Sequence, residues 1–221
     1  MKTIHINEQF KEDWNRVLNH IANLFYEDSV IQFTKDGANM SISFDYEIAD
    51  DYTISTAAKL LVDGQEFTSS YSIGYKTEGT EKEQSIRMKR ALSHVMLDVL
   101  EQYTGMTQQW GILTGVRPTK LYHKFRKEGL SEEQIFEKLK TDFRLSDLKI
   151  NLLKEIVARQ LHVIPDLDEL GREISIYIGV PFCPTMCAYC TFPAYAIQSN
   201  RKAGRVEKFI DGLHIELREL G

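Results

Sequence analysis

The segment at residues 177–193 reads YIGVPFCPTMCAYCTFP and contains all three cysteines of the chain, Cys183, Cys187 and Cys190. Their spacing, C-x3-C-x2-C within eight consecutive residues, fits neither a disulfide framework nor scattered core thiols. Thiolate is the soft, charge-donating ligand that iron prefers, and three thiolates from one short loop can each bind one iron of a cubane cluster. The fourth iron would then lack a protein thiolate, which suits chemistry at the cluster better than simple electron transfer.

The residues on either side of this loop predict a strand and a helix. Ile174–Val180 is rich in β-branched residues, which is typical of a buried parallel strand, and it ends at Pro181. Strand, loop and helix together predict one β/α unit of a parallel barrel, although residues 171–221 are too few for a closed barrel of about 250 residues. We therefore expect the N-terminal portion of a longer enzyme. The helix is predicted from apolar residues at helical spacing, namely Val206, Phe209, Ile210, Leu213 and Leu217.

Two other uses of the thiols fit the sequence less well. A zinc site needs a fourth ligand, and His214 is the only histidine after the loop. Zinc sites also favour paired C-x2-C halves over a C-x3-C-x2-C triplet. A redox pair made by Cys187 and Cys190 would leave Cys183 unexplained.

The cysteine spacing resembles the signature of the radical S-adenosylmethionine superfamily, C-x3-C-x-aromatic-C, with Tyr189 at the aromatic position. The resemblance implies that Cys183, Cys187 and Cys190 ligate a [4Fe–4S] cluster whose fourth iron takes S-adenosylmethionine. Tyr177 is similar to a family tyrosine that lies near these cofactors. An equally good interpretation is that Tyr177 is an ordinary residue of the predicted strand, with no role at the cofactors. The implied cofactor-binding residues are Tyr177 and Tyr189, and no catalytic residue beyond the cluster ligands is implied within this chain.

The resemblance narrows to one family within that superfamily. Tyr177–Cys183 and Cys187–Cys190 are similar to the Y-x-H-I-P-F-C and C-x-(Y/F)-C segments of the oxygen-independent coproporphyrinogen III oxidases, and GILTGVRPTK at 111–120 resembles their HemZ branch. This implies an oxidoreductase of porphyrin and haem biosynthesis that converts propionates of coproporphyrinogen III to vinyl groups by oxidative decarboxylation. The implied partners are a small-molecule tetrapyrrole substrate and a low-potential electron donor. The 221-residue chain alone is expected to be inactive.

Two departures from the family pattern keep other functions open. Gly179 stands where the family usually has histidine, and Thr191-Phe192 follows the last cysteine where the oxidases carry another cysteine. Relatives with phenylalanine there include proteins thought to bind or deliver haem, so a haem-binding or haem-delivery protein is the second hypothesis. An RNA-modifying radical enzyme, holding nucleic acid with its N-terminal region, is the third.

The residues before this segment predict an α+β domain at 1–105, formed by an antiparallel sheet with helices over one face, and a helical connector region at 106–170. The start of a truncated radical-SAM (β/α) barrel follows at 171–221. Alternation of apolar and polar residues from Met40 to Ile48 indicates a strand with one wet face. The predicted elements are strands at 3–7, 29–35, 39–49, 53–62 and 66–75, helices at 8–26 and 81–103, and three helices within 117–160.

Local signals specify parts of these elements. Asp36-Gly37 and Asp63-Gly64 lie between apolar runs and predict tight hairpins. Residues 131–134 form a capping box that begins the middle helix of 117–160, with Leu130 and Ile135 placed as a hydrophobic staple. The predicted buried side chains of the helix at 81–103 are Ile86, Leu92, Val95, Met96, Val99 and Leu100.

The glycine-punctuated connector at 110–120 has two interpretations. Arg117 and Lys120 could hold an anion near a helix start. Packing of Trp110 and Ile112 under the helices is favoured, because such short glycine patterns are weak signals.

Composition excludes several classes of protein. The chain has 221 residues, a net charge of −5 and a pI near 5.7, so it is not a generally basic protein that coats nucleic acid. It has neither an apolar run long enough for a membrane span nor a signal-peptide core, so we expect a cytoplasmic protein with no membrane partner. Residues 117–160 carry a net charge of +4 against −9 for the rest. A solvated helical face is favoured over a nucleic-acid or anionic-ligand surface as the explanation of this charge.

Overall fold

The chain divides into two compact units, Met1–Glu169 and Leu170–Gly221, and the described residues of the first unit form five strands and five helices. The computed structural model describes residues 2–49, 52–74, 80–114, 117–167, 176–192, 194–197 and 203–220. The described elements of the first unit are, in order, β1 (Thr3–Ile6), α1 (Glu12–Asn23), β2 (Val30–Gln32), β3 (Met40–Ile48), β4 (Ile54–Val62), β5 (Gln65–Ile73), α2 (Glu81–Thr104), α3 (Pro118–Lys127), α4 (Glu132–Phe143) and α5 (Asp147–Val163).

The five strands form one mixed sheet in the order β2-β1-β3-β4-β5. β1 pairs in parallel with both β2 and β3, whereas β4 is antiparallel to both β3 and β5. The prediction of an antiparallel sheet is therefore wrong for its first three strands. The reason is α1, which crosses over between β1 and β2 so that β2 returns in the same direction as β1.

The two Asp-Gly pairs have different roles. Asp63 and Gly64 join β4 to β5 with φ angles of 50° and 75°, and two positive φ angles at the centre of a two-residue loop produce the tight hairpin that the sequence predicts. Asp36 and Gly37 precede β3 but do not form a hairpin, because β2 and β3 lie on opposite sides of β1. A local turn signal thus indicates a turn without specifying which strands pair.

The main hydrophobic core lies between the sheet and the helices α1 and α2. The inward side chains of β3 are buried as far as Phe44, but Tyr46 and Ile48 are 41% and 42% exposed, so the buried face is shorter than the alternation predicts. On α2, Ile86 is 46% exposed, which corrects its prediction as a core residue. The remaining predicted core residues of α2 are buried: Leu92, Val95, Met96, Val99 and Leu100.

A second hydrophobic core lies among α3, α4 and α5. Ser131 begins α4 with the predicted capping box, in which its Oγ accepts from the backbone N–H of Gln134 while the Gln134 side chain accepts from the Ser131 N–H. Leu130 and Ile135, predicted to form a hydrophobic staple, both belong to this core. Local capping therefore fixes where α4 begins, and its apolar face then packs against α3 and α5.

The second unit contains two short strands and a helix within the described residues. β6 (Phe182–Cys183) pairs in parallel with β7 (Tyr195–Ala196), and α6 spans Ala203–Leu220, where a helix is predicted. The predicted strand at 174–180 is not found: 176–180 has no strand structure, and residues 174 and 175 lie outside the described residues. A parallel strand needs a neighbour on which to bond, and no strand of the described part pairs with this segment. A truncated barrel is therefore not shown.

Candidate functional site

The cysteine loop is held by a few hydrogen bonds and ring contacts. The N–H of Tyr195 donates to the carbonyl of Pro181 at 2.8 Å, and the N–H of Ile197 donates to that of Cys183 at 2.9 Å, which closes the loop at its base. The Phe182 ring packs edge-on against Phe209 of α6 at a centroid distance of 5.6 Å. The loop and α6 are therefore connected through an aromatic contact typical of stabilising ring pairs.

The three thiols are free and lie on this loop. Cys183 and Cys190 are half-buried and Cys187 is exposed, and a turn with a 3.0 Å hydrogen bond from the Cys190 N–H to the Cys187 carbonyl connects the last two. Among the described residues, no three His, Cys, Asp or Glu side chains are gathered as a metal ion would need. The chemistry of the donor set still fits iron, because three accessible thiols without a disulfide partner are the ligands that iron–sulfur clusters use. Ligation by these cysteines stays a prediction.

The two predicted cofactor-binding tyrosines are surface residues. Tyr177 is 89% exposed and Tyr189 is 88% exposed, so neither is held by packing within the loop. A Cβ added at Gly179 would lie 3.3 Å from Cε1 of Tyr177. The absence of a side chain at Gly179 therefore leaves room for the Tyr177 ring beside the backbone. Both tyrosine roles stay predictions.

The cysteine loop carries an unusually apolar surface for an exposed segment. Large exposed apolar patches on proteins mark interaction or ligand-binding surfaces. Val180 and Phe192 are 65% and 76% exposed, and they lie before and after the three thiols. The large apolar and tyrosine side chains of 176–197 that are at least 42% exposed are Ile176, Tyr177, Ile178, Val180, Met186, Tyr189, Phe192, Tyr195 and Ile197.

Among its described residues, the segment 110–120 has packed apolar side chains in its first half and exposed cations in its second. Trp110 and Ile112 pack against the core of α3–α5, and Ile112 donates to the Phe143 carbonyl at 3.0 Å. This is the packing role that the sequence favours for the first half. Arg117 and Lys120, in contrast, are exposed at the start of α3.

These two cations line a groove of about 740 Å³ along α3. The sequence pointed to Arg117 and Lys120 as anion-binding candidates but missed the cations further along the helix. The helical spacing of the lysines is the signal that identifies them, because residues three or four apart share a helix face. The other described residues that line the groove are Leu121, His123, Lys124, Lys127 and Glu128.

A polar cluster that the sequence did not reveal joins the sheet to the helical core. The guanidinium of Arg144, just after α4, donates to Asp98 and to Glu101 of α2, each at 2.8 Å. Burial by itself would raise the pKa of Asp98, but hydrogen bonds from Ser69 and Arg144 outweigh it and lower the pKa. Charge-assisted bonds of this kind position the end of α4 on α2.

His94 lies in the same cluster and is neutral at physiological pH. Its ring stacks on Tyr71 with centroids 3.9 Å apart, and its Nε2 lies 2.9 Å from the carbonyl oxygen of Asp142. Because a carbonyl only accepts, Nε2 carries the proton and donates it. Burial lowers the pKa of His94 to about 4. The ring is therefore a structural donor within this cluster.

Comparison with known proteins identifies a relative for nearly the whole chain. No family model matches the chain. The chain is 46% identical over 209 residues to the oxygen-independent coproporphyrinogen-III oxidase-like protein HemZ of Bacillus subtilis (strain 168). The chain is a homologue of the N-terminal part of HemZ. The matched region covers 94% of this chain and 40% of HemZ, so the chain spans less than half of its relative's length.

This relationship confirms the predicted resemblance to a HemZ-type protein. An identity of 46% over 209 residues indicates that the fold of the aligned part is shared with HemZ. No helix among the described residues is both long and apolar enough to cross a membrane.

Proposed function

We propose that the chain is the N-terminal part of a radical S-adenosylmethionine enzyme that oxidises coproporphyrinogen III. The observation that carries the proposal is three free thiols spaced C-x3-C-x2-C on one accessible loop of a HemZ homologue. HemZ is named as coproporphyrinogen-III oxidase-like, and a tetrapyrrole substrate follows from that name. The reaction would remove two propionate carboxyl groups as carbon dioxide and leave vinyl groups. For each propionate, one hydrogen atom would pass to the deoxyadenosyl group released from S-adenosylmethionine, and one electron would pass to an acceptor.

The chain's own contribution is to hold the cluster. Cys183, Cys187 and Cys190 would each bind one iron as thiolates, while Tyr177 and Tyr189 would lie beside the bound cofactors. When bound, the reduced [4Fe–4S] cluster would supply the electron that cleaves S-adenosylmethionine and begins radical chemistry. A low-potential protein donor would deliver that electron.

The exposed apolar surface of 176–197 supports a further part of the proposal. A cluster of low potential needs shielding from water, because solvent exposure and hydrogen bonds to its sulfurs set its potential. In a protein of HemZ's length, of which this chain spans 40%, the remaining part would cover this surface and exclude water. The isolated chain would then hold the cluster but not turn over substrate.

The first experiment is anaerobic reconstitution of the 221-residue chain with iron and sulfide. We expect about four irons and about four sulfides per chain, as in a [4Fe–4S] cluster, together with an electron paramagnetic resonance signal after reduction. Each single substitution Cys183→Ser, Cys187→Ser or Cys190→Ser should abolish this signal. The matched control is Met186→Leu, which changes an exposed loop residue without removing a thiol and should retain the cluster. Retention of the cluster by the serine variants, or preferential binding of zinc, contradicts the proposal.

The second experiment tests the reaction in the full-length protein. Reconstituted protein, S-adenosylmethionine, a strong reductant and coproporphyrinogen III are combined without oxygen, and porphyrin products and 5′-deoxyadenosine are followed together. Formation of both products establishes the oxidase activity. If 5′-deoxyadenosine forms while the porphyrinogen survives, the radical enzyme is retained and the substrate assignment fails.

A haem-handling protein is the second candidate function. It is favoured by Gly179, which replaces the histidine usual in the oxidase family, and by Phe192, which is 76% exposed where the oxidases have a cysteine. Haem titration of the cluster-loaded protein separates the two functions. Tight haem binding without porphyrinogen turnover supports this candidate over the oxidase.

A further inference from the structure

The groove along α3 has the size and the lining of a small-molecule site. Its volume of about 740 Å³ lies within the 300–1,000 Å³ that is typical of ligand pockets in proteins. Leu121, half-buried against the helical core, contributes an apolar wall, and the methylene stems of the lysines extend it. Sites of this kind combine apolar walls with a few polar groups that fix the orientation of the ligand.

The polar groups of this groove are cations arranged in one row. Arg117, Lys120, Lys124 and Lys127 are separated by three, four and three residues, so they share one face of α3. At 1.5 Å of rise per residue, the row extends over about 15 Å. From residue 117 to residue 127, the chain carries five Lys or Arg residues and no Asp or Glu. The groove therefore presents a positive edge from residue 117 to residue 127, and Glu128 is the one acidic residue among its described lining residues.

Three of the four cations of this row, Arg117, Lys120 and Lys124, have weak ion pairs or none with the other described residues. Arg117 and Lys120 are exposed and make no ion pair with another described residue. Lys124 pairs with Glu128, but at 3.6 Å and with both side chains largely exposed, and such pairs contribute little to stability. A ligand whose anionic groups are spaced like these cations would therefore form stronger electrostatic interactions with them than the protein's own groups do.

The shape and lining favour a small amphipathic polyanion over a macromolecule. Binding of nucleic acid by a groove uses exposed aromatic rings on which bases stack, and the groove lining contains no Phe, Tyr or Trp among its described residues. Tyr122, the one tyrosine of α3, is buried in the helical core. A molecule with an apolar body and several carboxylates along one edge would pack against the apolar walls of the groove and form ion pairs with its cations.

We propose that this groove binds a tetrapyrrole by its carboxylate-bearing edge, at a site whose described lining belongs to Met1–Glu169 and includes no residue of the cysteine loop. The choice of a tetrapyrrole as the amphipathic polycarboxylate rests on the proposed function. The ring would lie against Leu121 and the lysine stems, and the propionates would face Arg117, Lys120, Lys124 and Lys127. The site would load or retain substrate rather than react with it, because the proposed chemistry depends on the cluster of the cysteine loop and the described lining of the groove contains no cysteine.

The test is a fluorescence titration of the full 221-residue chain, without iron, with coproporphyrin III, which has four carboxylates. We expect saturable binding at one site that weakens as salt is added, because salt screens exposed charge pairs. The double variant Arg117→Gln/Lys120→Gln should weaken binding about tenfold, as expected for the loss of two exposed pairs. Etioporphyrin, which has no carboxylates, should bind far more weakly than coproporphyrin III.

The matched control is Lys35→Gln/Lys82→Gln, which removes the same net charge from two exposed lysines outside the groove. This control should bind coproporphyrin III as the unmodified chain does, and circular dichroism should show that both double variants are folded. Equal weakening by the two double variants overturns the proposal, as does the lack of saturable binding. Loss of binding on Phe192→Ala with no effect of the groove variant also overturns it. Because the titration needs no cluster, its failure leaves the cluster experiment and the oxidase proposal unaffected.

Discussion

Gly111 illustrates how one residue controls the packing of a whole connector. Its φ of 54° lies in the left-handed region, and a Cβ at this position would overlap the backbone carbonyl oxygens of Phe143 and Arg144. The close approach lets Ile112 donate to the Phe143 carbonyl at 3.0 Å. Glycine is therefore required at this point both for its conformation and for its lack of a side chain.

We expect Gly111→Ala to lower the free energy of unfolding by about 3 kcal/mol or more, because strain and a backbone overlap act together. The control is Gly129→Ala, where φ is 82° but a Cβ would meet nothing within 4 Å. That control should cost only about 1–2 kcal/mol for the left-handed conformation. Urea denaturation measures both values. Equal losses in the two variants would show that the overlap at Gly111 is relieved without cost.

His94 makes stability depend on pH. Its pKa of about 4 in the folded chain lies below the 6.5 of an unfolded histidine, so the unfolded state binds more protons between these values. The stabilisation is complete above pH 6.5 and is lost progressively as the pH falls towards 4. This pKa shift corresponds to a loss of about 3 kcal/mol in the free energy of unfolding once the pH lies below both pKa values.

We expect His94→Gln to flatten this part of the stability profile, because the amide can still donate to the Asp142 carbonyl but does not titrate. Urea unfolding at pH 7, 6, 5 and 4.5 measures the slope. His20→Gln is the control, since His20 is an exposed residue at the end of α1. A slope that His94→Gln leaves unchanged would mean that other groups cause the acid sensitivity.

At the scale of single elements, α4 shows local sequence fixing a helix start. The Oγ of Ser131 accepts from the Gln134 N–H and donates to Glu133 at 2.9 Å. We expect Ser131→Ala to lower the free energy of unfolding by about 1 kcal/mol, because an N-terminal N–H of the helix loses its acceptor. Ser131→Gly should lower the free energy of unfolding by only a few tenths of a kcal/mol. Thermal and urea unfolding compare the two, and equal losses would exclude the cap as the cause.

The two Asp-Gly turns and the strand β2 show the opposite case. Asp63-Gly64 connects neighbouring strands, so the local signal and the pairing agree. Asp36-Gly37 has the same local chemistry, but β1 already occupies the position next to β3. Pairing of β1 with both β2 and β3 depends on contacts across about 25 to 40 residues of sequence, which turn chemistry does not encode.

At the scale of the whole molecule, burial is concentrated in one of the two units. Every described hydrophobic residue that is buried lies at or before Val157, whereas 176–220 has only half-buried and exposed ones. Segments with few buried contacts open at low free-energy cost. The cysteine loop therefore relies on two short strands and a few hydrogen bonds.

We expect backbone amides of 176–197 to exchange with solvent at least about a hundredfold faster than those of β4 and α2, which line the main core. Hydrogen exchange followed by mass spectrometry measures this difference in the 221-residue chain. The amides of α3–α5 serve as an internal control, because a separate core protects them. Protection of 176–197 equal to that of β4 would contradict the low stability inferred for the loop.

The sequence alone determined the features that depend on residues close to each other along the chain. The helix starts at Ser131 and Thr80, the Asp63-Gly64 hairpin and the C-x3-C-x2-C spacing all lie within a few residues. The cysteine spacing and the residues beside it led to the resemblance to HemZ, which the comparison with known proteins confirmed.

Only the tertiary structure decided the features that join distant residues. These are the parallel pairing of β1, the cluster of the buried His94 with the half-buried Asp142 and Arg144, and the groove in which the α3 cations lie beside Leu121. The physical reason is that the spacing of apolar residues indicates which side of a strand or helix is apolar, but not which other element packs against that side. Tyr46 and Ile48 continue the alternation of β3 and yet are exposed, because burial depends on the neighbours that the fold supplies.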